Sequence, residues 1–209
     1  MQLSRLFVAA GIVAWPLLMF SILSLTLIAE RSLFWLRILK RQEPLIQQVL
    51  KRLPTDWHAA IKLLHKNTDL PMARIFLAAL ELDRANSEEF RLALEGAAQA
   101  ELPTLRRFST VLDTIVVIAP LLGLLGTVLG LMAAFAGLQV GDVAGDKTAA
   151  VTGGISEALA STVLGLVVAI LTMLFTNTFR GLYRRQVALI QEYGNRLELL
   201  YRRSQISDR

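Results

Sequence analysis

A carboxylate and several hydroxyls share one helical side of an apolar stretch. Glu157 stands four residues before Ser161, and Gly165, Val168, Thr172 and Thr176 continue that side. Thr162 lies further round, so the polar sector is broad. From Ala158 to Phe179 there is no charged residue. An acid at the edge of such a run is by default a functional group: it can take up and release a proton, and hydroxyls beside it can hold water or relay protons. The plainer readings are an interfacial glutamate that reaches water and threonines that bond their own helix backbone.

A second constellation is built for close approach. Ala119-Pro120-Leu121-Leu122-Gly123-Leu124-Leu125-Gly126-Thr127-Val128-Leu129-Gly130 is apolar except for one hydroxyl, Thr127. Gly126 and Gly130 form a G-x-x-x-G, and Gly123, Gly130 and Gly137 recur at intervals of seven. Small residues let membrane helices approach closely and gain dispersion contacts. Two uses of these glycines are open: packing against another helix of the same chain, or a seam between copies. Pro120 predicts a kink. Asp113, about two turns after Arg106 and Arg107, is either a solvated acid near a helix end or a cytoplasmic exit group for protons.

Other chemistries find little support. There is no cysteine, which excludes disulfides and thiolate sites. His58 and His65 are seven apart and lack further ligands, so packing or surface roles are expected rather than a metal. No G-x-x-x-x-G-K-[ST] loop and no hydrolase triad is present. The sequence therefore predicts neither an enzyme nor a cofactor. Nucleic-acid binding is disfavoured because basic residues flank the apolar runs with acids interleaved among them.

Of the 209 residues, 54% are hydrophobic, and mean hydropathy is +0.51. The apolar residues gather in three chargeless runs, Phe7 to Ala29, Thr114 to Gly141 and Ala158 to Phe179. A helix needs ~20 residues to cross a hydrocarbon core of ~30 Å. The predicted fold class is an all-α membrane protein: three transmembrane helices with long cytoplasmic helical extensions. The first run exceeds the length of a usual signal-peptide core and is expected to stay as an anchor. The stretch 30–109 carries 13 of the 22 Lys/Arg and 178–209 carries 7, whereas Arg5 and Lys147 are alone in their segments. The positive-inside rule then puts the N-terminus outside and the C-terminus in the cytoplasm.

The expected organisation is an outer N-terminus and first membrane helix over 1–30, a cytoplasmic helical lobe over 31–110, and membrane helices over 111–141 and 153–179. A short outer loop spans 142–152, and a helical tail spans 180–209. Pro16 predicts a bend in the first helix, which continues toward Lys40, and Trp35 fits an interfacial anchor. Pro44 and Pro54 punctuate the lobe. Asp56 is a cap, Pro71 opens a helix with Ile75, Leu77, Leu80 and Leu82 as packing positions, and Asn86 with Glu89 forms a capping box. The helix after Asn86 is expected to run into the second membrane helix with a kink at Pro103. The lobe is small, so its apolar positions must pack on extensions of the membrane helices or on a neighbouring subunit.

Residues 119–132, read with Gly154-Ile155-Ser156-Glu157-Ala158-Leu159-Ala160-Ser161-Thr162-Val163-Leu164-Gly165-Leu166-Val167-Val168-Ala169-Ile170, resemble the ExbB/TolQ family, to which the flagellar stator protein MotA is also related. The resemblance is close in these two helices and extends to the plan of one helix, a cytoplasmic lobe and two helices. It implies a proton-driven motor of the bacterial inner membrane, with ExbB-like chains as a homo-oligomer, a pentamer, around the single-span helices of ExbD-like partners. Proton flow there energises a TonB-like protein. Thr127, Glu157 and Thr162 match the family's polar pore positions. Leu171 departs from the pattern, standing where many relatives have proline. A TolQ-like role in envelope maintenance and a non-conducting membrane scaffold are the alternatives.

Overall fold

The computed structural model describes residues 11–82, 85–139 and 144–207; side chains at 11, 137–139, 144–151, 157, 206 and 207 also lie outside the described set. The N-terminal segment 1–10 and residues 142 and 143 of the predicted outer loop therefore fall outside it, as do the side chains of 144–151. The described residues are helical and contain no strand. A 3-10 turn, Gly11–Val13, leads into α1, Ala14–Arg52. Then come α2, Trp57–His65; α3, Pro71–Leu80; α4, Ser87–Leu105; α5, Ser109–Gln139; and α6, Ala144–Ser207. Among the described residues, three helical stretches are long and apolar enough to cross a membrane: within α1, within 87–136, and within α6.

The chain divides into two compact units. One comprises 1–30 and 108–178, the other 31–107 and 179–209.

In the second unit, local chemistry sets the short helices. Asp56 caps α2 by accepting the Ala59 N–H at 2.9 Å. Pro71 occupies the first position of α3, where a missing N–H costs nothing. Asn86 accepts from the N–H groups of Glu88 and Glu89 at 2.9 and 2.8 Å, and the Glu89 carboxylate accepts from the Asn86 N–H at 2.8 Å. This is the reciprocal capping box the sequence predicts. The core joins Phe76, Leu70, Met72 and Phe90 to Ile46 and Val49 of α1 and Leu197 of α6. Of the two expected coverings for the lobe, the structure supplies the first: the long helices themselves. Phe90 and Tyr201 stack with ring centroids 4.0 Å apart, and the Tyr201 hydroxyl donates to the Ala85 carbonyl at 2.7 Å.

Several expectations are corrected. The first helix continues toward Lys40 as expected and on to Arg52, so that Pro44 lies inside it rather than between elements. Pro16 falls in the first turn of α1, where it interrupts no established ladder, rather than deep in the helix. Trp35 is not an interfacial anchor; it is 2% exposed in the core of its unit. Leu82 follows the C-cap of α3 and is exposed, because the chain has left the helix there. Helix α4 does not continue into α5. Pro103 sits inside α4, and the break comes later, at Phe108, whose φ of 64° is rare for a bulky side chain. Buried Arg31 stabilises that ending: its guanidinium donates to the carbonyls of Thr104 and Leu105 at 3.2 and 2.8 Å. A cation suits the negative end of a helix. Finally, helix α6 begins at Ala144, where a loop to 152 was expected, and is continuous to Ser207, so that the helical tail expected from 180 is its last part. Gly153 and Gly154 therefore lie within a helix and do not end it.

Candidate functional site

In the first unit, α5 and α6 meet along small residues. A Cβ added at Gly165 would lie 2.5 Å from the Ala119 carbonyl oxygen and 3.1 Å from Gly123 Cα. One added at Gly130 would lie 2.9 Å from the Gly154 carbonyl oxygen, and one at Gly154 would lie 2.8 Å from the Gly130 carbonyl oxygen. The backbones are thus in direct contact, which only glycine permits at these positions. Of the two uses left open for Gly123, Gly126 and Gly130, contact within one chain is the one seen. Since lipid tails are as apolar as leucine, this intimacy contributes dispersion energy that burial alone would not.

Gly126 marks where three segments converge. A Cβ there would meet the Ser161 Oγ at 2.3 Å and lie 3.6 Å from Val13 Cβ. Ser161 fills the space that Gly126 leaves and is fully buried. Its hydroxyl is within hydrogen-bonding distance of two carbonyls, Ala158 at 2.8 Å and Gly123 at 3.2 Å. The half-buried Thr162 hydroxyl also donates to the Gly123 carbonyl, at 3.2 Å. Two neighbouring hydroxyls of α6 therefore converge on one carbonyl of α5.

The other predicted residues distribute around this point. Thr127 is half-buried, and its hydroxyl donates to the Leu124 carbonyl at 2.6 Å. Thr172 and Thr176 are buried and donate to the carbonyls of Val168 and Thr172 at 2.7 and 2.8 Å, the backbone-bonded alternative raised above. Ser161, Gly165, Thr172 and Thr176 do share one buried side of α6, as their spacing predicts. Glu157 lies in α6, one turn ahead of Ala160 and Ser161; its side chain lies outside the described residues. Ala160 packs with Ala14 and Leu164, so α1 reaches the turn that follows Glu157. Asp113 is half-buried in the second turn of α5, and the structure does not bring it beside the Ser161–Thr162 pair.

Around this seam the helices are greasy. Leu121, Leu125, Val128 and Met132 of α5, with Leu159, Val163, Leu166 and Ile170 of α6, are exposed. Such surfaces require lipid or protein around them. No cluster of three His, Cys, Asp or Glu that could hold a metal occurs among the described residues. His65 instead pairs with Glu81 at 2.6 Å.

Gly123 stands out in sequence for its missing side chain, yet its carbonyl oxygen is what both hydroxyls reach. Backbone acceptors leave no compositional trace, although Ser161-Thr162 opposite a glycine-rich helix was a signal that hydroxyls would meet backbone.

Comparison with known proteins gives a consistent picture. Residues 67–192 match the MotA/TolQ/ExbB proton channel family. A protein of Synechocystis sp. named for biopolymer transport, ExbB-like 3, is 57% identical over 195 residues, covering 93% of each chain. A second from the same source, ExbB-like 1, is 39% identical over 198 residues, covering 94% of this chain and 78% of its own.

Proposed function

This chain belongs to the MotA/TolQ/ExbB proton channel family, and on that premise we propose that it is the proton-channel subunit of a bacterial inner-membrane motor that energises TonB-dependent transport across the outer membrane. It is a multi-pass membrane protein. The observation that carries the finer reading is the placement of Glu157. It is an acid one turn ahead of a hydroxyl pair, in a helix that then runs without charge to Phe179 and is pressed against α5. Glu157 carries the proton, Ser161 and Thr162 hold the adjoining helix wall through the Gly123 carbonyl, and Thr127 borders the path from α5. Asp113 serves the cytoplasmic exit.

The charge distribution supports an outside N-terminus and a cytoplasmic C-terminus. One glutamate and scattered hydroxyls do not span a bilayer, so a second acid must come from a partner. A single-span ExbD-like helix enclosed by a homo-oligomer, a pentamer, supplies it, and a TonB-like protein takes up the motion. The membrane potential provides about 2.3 kcal/mol per charge per 100 mV, so useful work needs several protons. The ExbB-like names of both relatives favour this assignment over a TolQ-like one.

The test is proton flux in liposomes holding the chain with its single-span partner. Glu157→Ala is expected to abolish flux while the complex still elutes at wild-type size, and Glu157→Asp to retain part of it. Wild-type flux in Glu157→Gln overturns the assignment and leaves the non-conducting scaffold.

A further inference from the structure

The second unit contains a pocket of about 290 Å³ between α1, the start of α3 and α6, lined among others by Gln42, Glu43, Met72, Arg185, Gln186 and Leu189. That is at the small end of the range for ligand sites, roughly 300–1,000 Å³. Two features set it apart from an ordinary surface crevice. Gln186 is 3% exposed, and its amide nitrogen has no hydrogen-bond partner. Gln42 is 2% exposed, and its carbonyl oxygen accepts from the Met72 N–H at 3.3 Å. That bond fixes which way round the Gln42 amide sits. It leaves the NH₂ group without a hydrogen bond among the described residues. Of these two amide donors on facing helices, that of Gln186 is buried without an acceptor, and burying such a donor costs stability unless something supplies one.

The charged groups at the pocket add direction. The exposed Arg185 is a third donor beside Gln186 and favours an oxyanion. Half-buried Glu43 is next to Gln42 and favours a cation. Met72 and Leu189 give the walls between them an apolar character.

We propose that this pocket binds a small zwitterion, its oxyanion held by Gln186, Gln42 and Arg185 and its ammonium by Glu43. Ethanolamine phosphate has this chemistry, either free or as the headgroup of phosphatidylethanolamine. The site is independent of Glu157 and of proton flux.

The test is isothermal titration of the full chain, in maltoside micelles free of phosphatidylethanolamine, with O-phosphoethanolamine and with inorganic phosphate. Saturable binding of O-phosphoethanolamine is expected, tighter than that of phosphate. Gln186→Leu should weaken it by about tenfold or more, as loss of a donor to a charged group implies. The thermal midpoint of that variant should be unchanged or raised, because an unsatisfied buried donor has been removed. Gln186→Met serves if the leucine variant does not fold. Glu43→Gln should bring the affinity for O-phosphoethanolamine down to that for phosphate. Transfer to nanodiscs separates the sources: loss of the signal only when phosphatidylethanolamine is present assigns the lipid headgroup, and persistence assigns the free molecule. Absence of saturable heat with both probes, or wild-type binding in both Gln186 variants, overturns the proposal and leaves water or a neighbouring chain to satisfy the amides.

Discussion

The two units of this chain are held together by opposite means. In the second, large side chains do the packing: Phe76, Phe90, Ile46, Leu64 and Leu70 are almost fully buried, and helix ends are capped by Asp56 and Asn86. In the first, close contacts are made by backbone and by the small side chain of Ser161. Gly123, Gly130, Gly154 and Gly165 bring backbone against backbone, while leucines, valines and isoleucines point outward. On the proposed topology, with the first unit in lipid and the second in water, the inversion follows from the solvent. Water rewards burial of a phenylalanine, whereas lipid is indifferent to where a leucine sits and leaves dispersion and interhelical hydrogen bonds to do the work.

The contrast can be broken most severely in the second unit. Phe90→Ala removes the ring stacked on Tyr201 and leaves a cavity, at an expected cost of about 3–5 kcal/mol. Thermal unfolding of the full chain in detergent, followed by near-ultraviolet dichroism, should show this; a loss below about 1 kcal/mol would mean that the site collapses without penalty. In the first unit the sensitive change is an addition. Gly165→Ala places a methyl group 2.5 Å from the Ala119 carbonyl oxygen, a backbone atom that cannot swing away. Overpacking of this kind costs about 1–3 kcal/mol. Gly181 in the same helix has nothing within 4 Å of its added Cβ, so Gly181→Ala should be neutral or stabilise by up to about 1 kcal/mol through helix propensity. Equal melting behaviour of the two variants would remove close packing as the explanation.

The smallest effect concerns charge. The hydrogen bond from Arg91 holds the Glu88 carboxyl below its ordinary value, and the pair is on the surface. A carboxyl whose pKa is lower in the folded state stabilises above its unfolded pKa. That contribution disappears as pH falls through the folded value. The second unit should therefore loosen slightly under acid, and Glu88→Gln should flatten that dependence. An unchanged acid profile in the variant would show that solvent screens the pair entirely.

Legibility followed the same division. The capping box at Asn86 and Glu89, the cap at Asp56 and the proline opening α3 were readable because each involves residues within one turn. Trp35 was misassigned as an anchor because an aromatic near a membrane boundary looks the same whether lipid or a helical lobe covers it. A kink at Pro103 in a continuous helix was expected because proline is visible in sequence. The actual break depends on Arg31, more than seventy residues away, donating to the carbonyls of Thr104 and Leu105.

The site shows the boundary most plainly. Composition and periodicity alone determined three chargeless runs, an acid at Glu157 and a shared side through Ser161, Thr172 and Thr176, because helical spacing and the thickness of a bilayer are fixed quantities. Only the tertiary structure decided that Gly126 makes room for Ser161 and that the Gly123 carbonyl gathers two hydroxyls. It also decided that Gln42 and Gln186 face one pocket. Each of these depends on which atoms from distant parts of the chain arrive within a few ångströms, and a linear pattern of residue types contains no distances between helices.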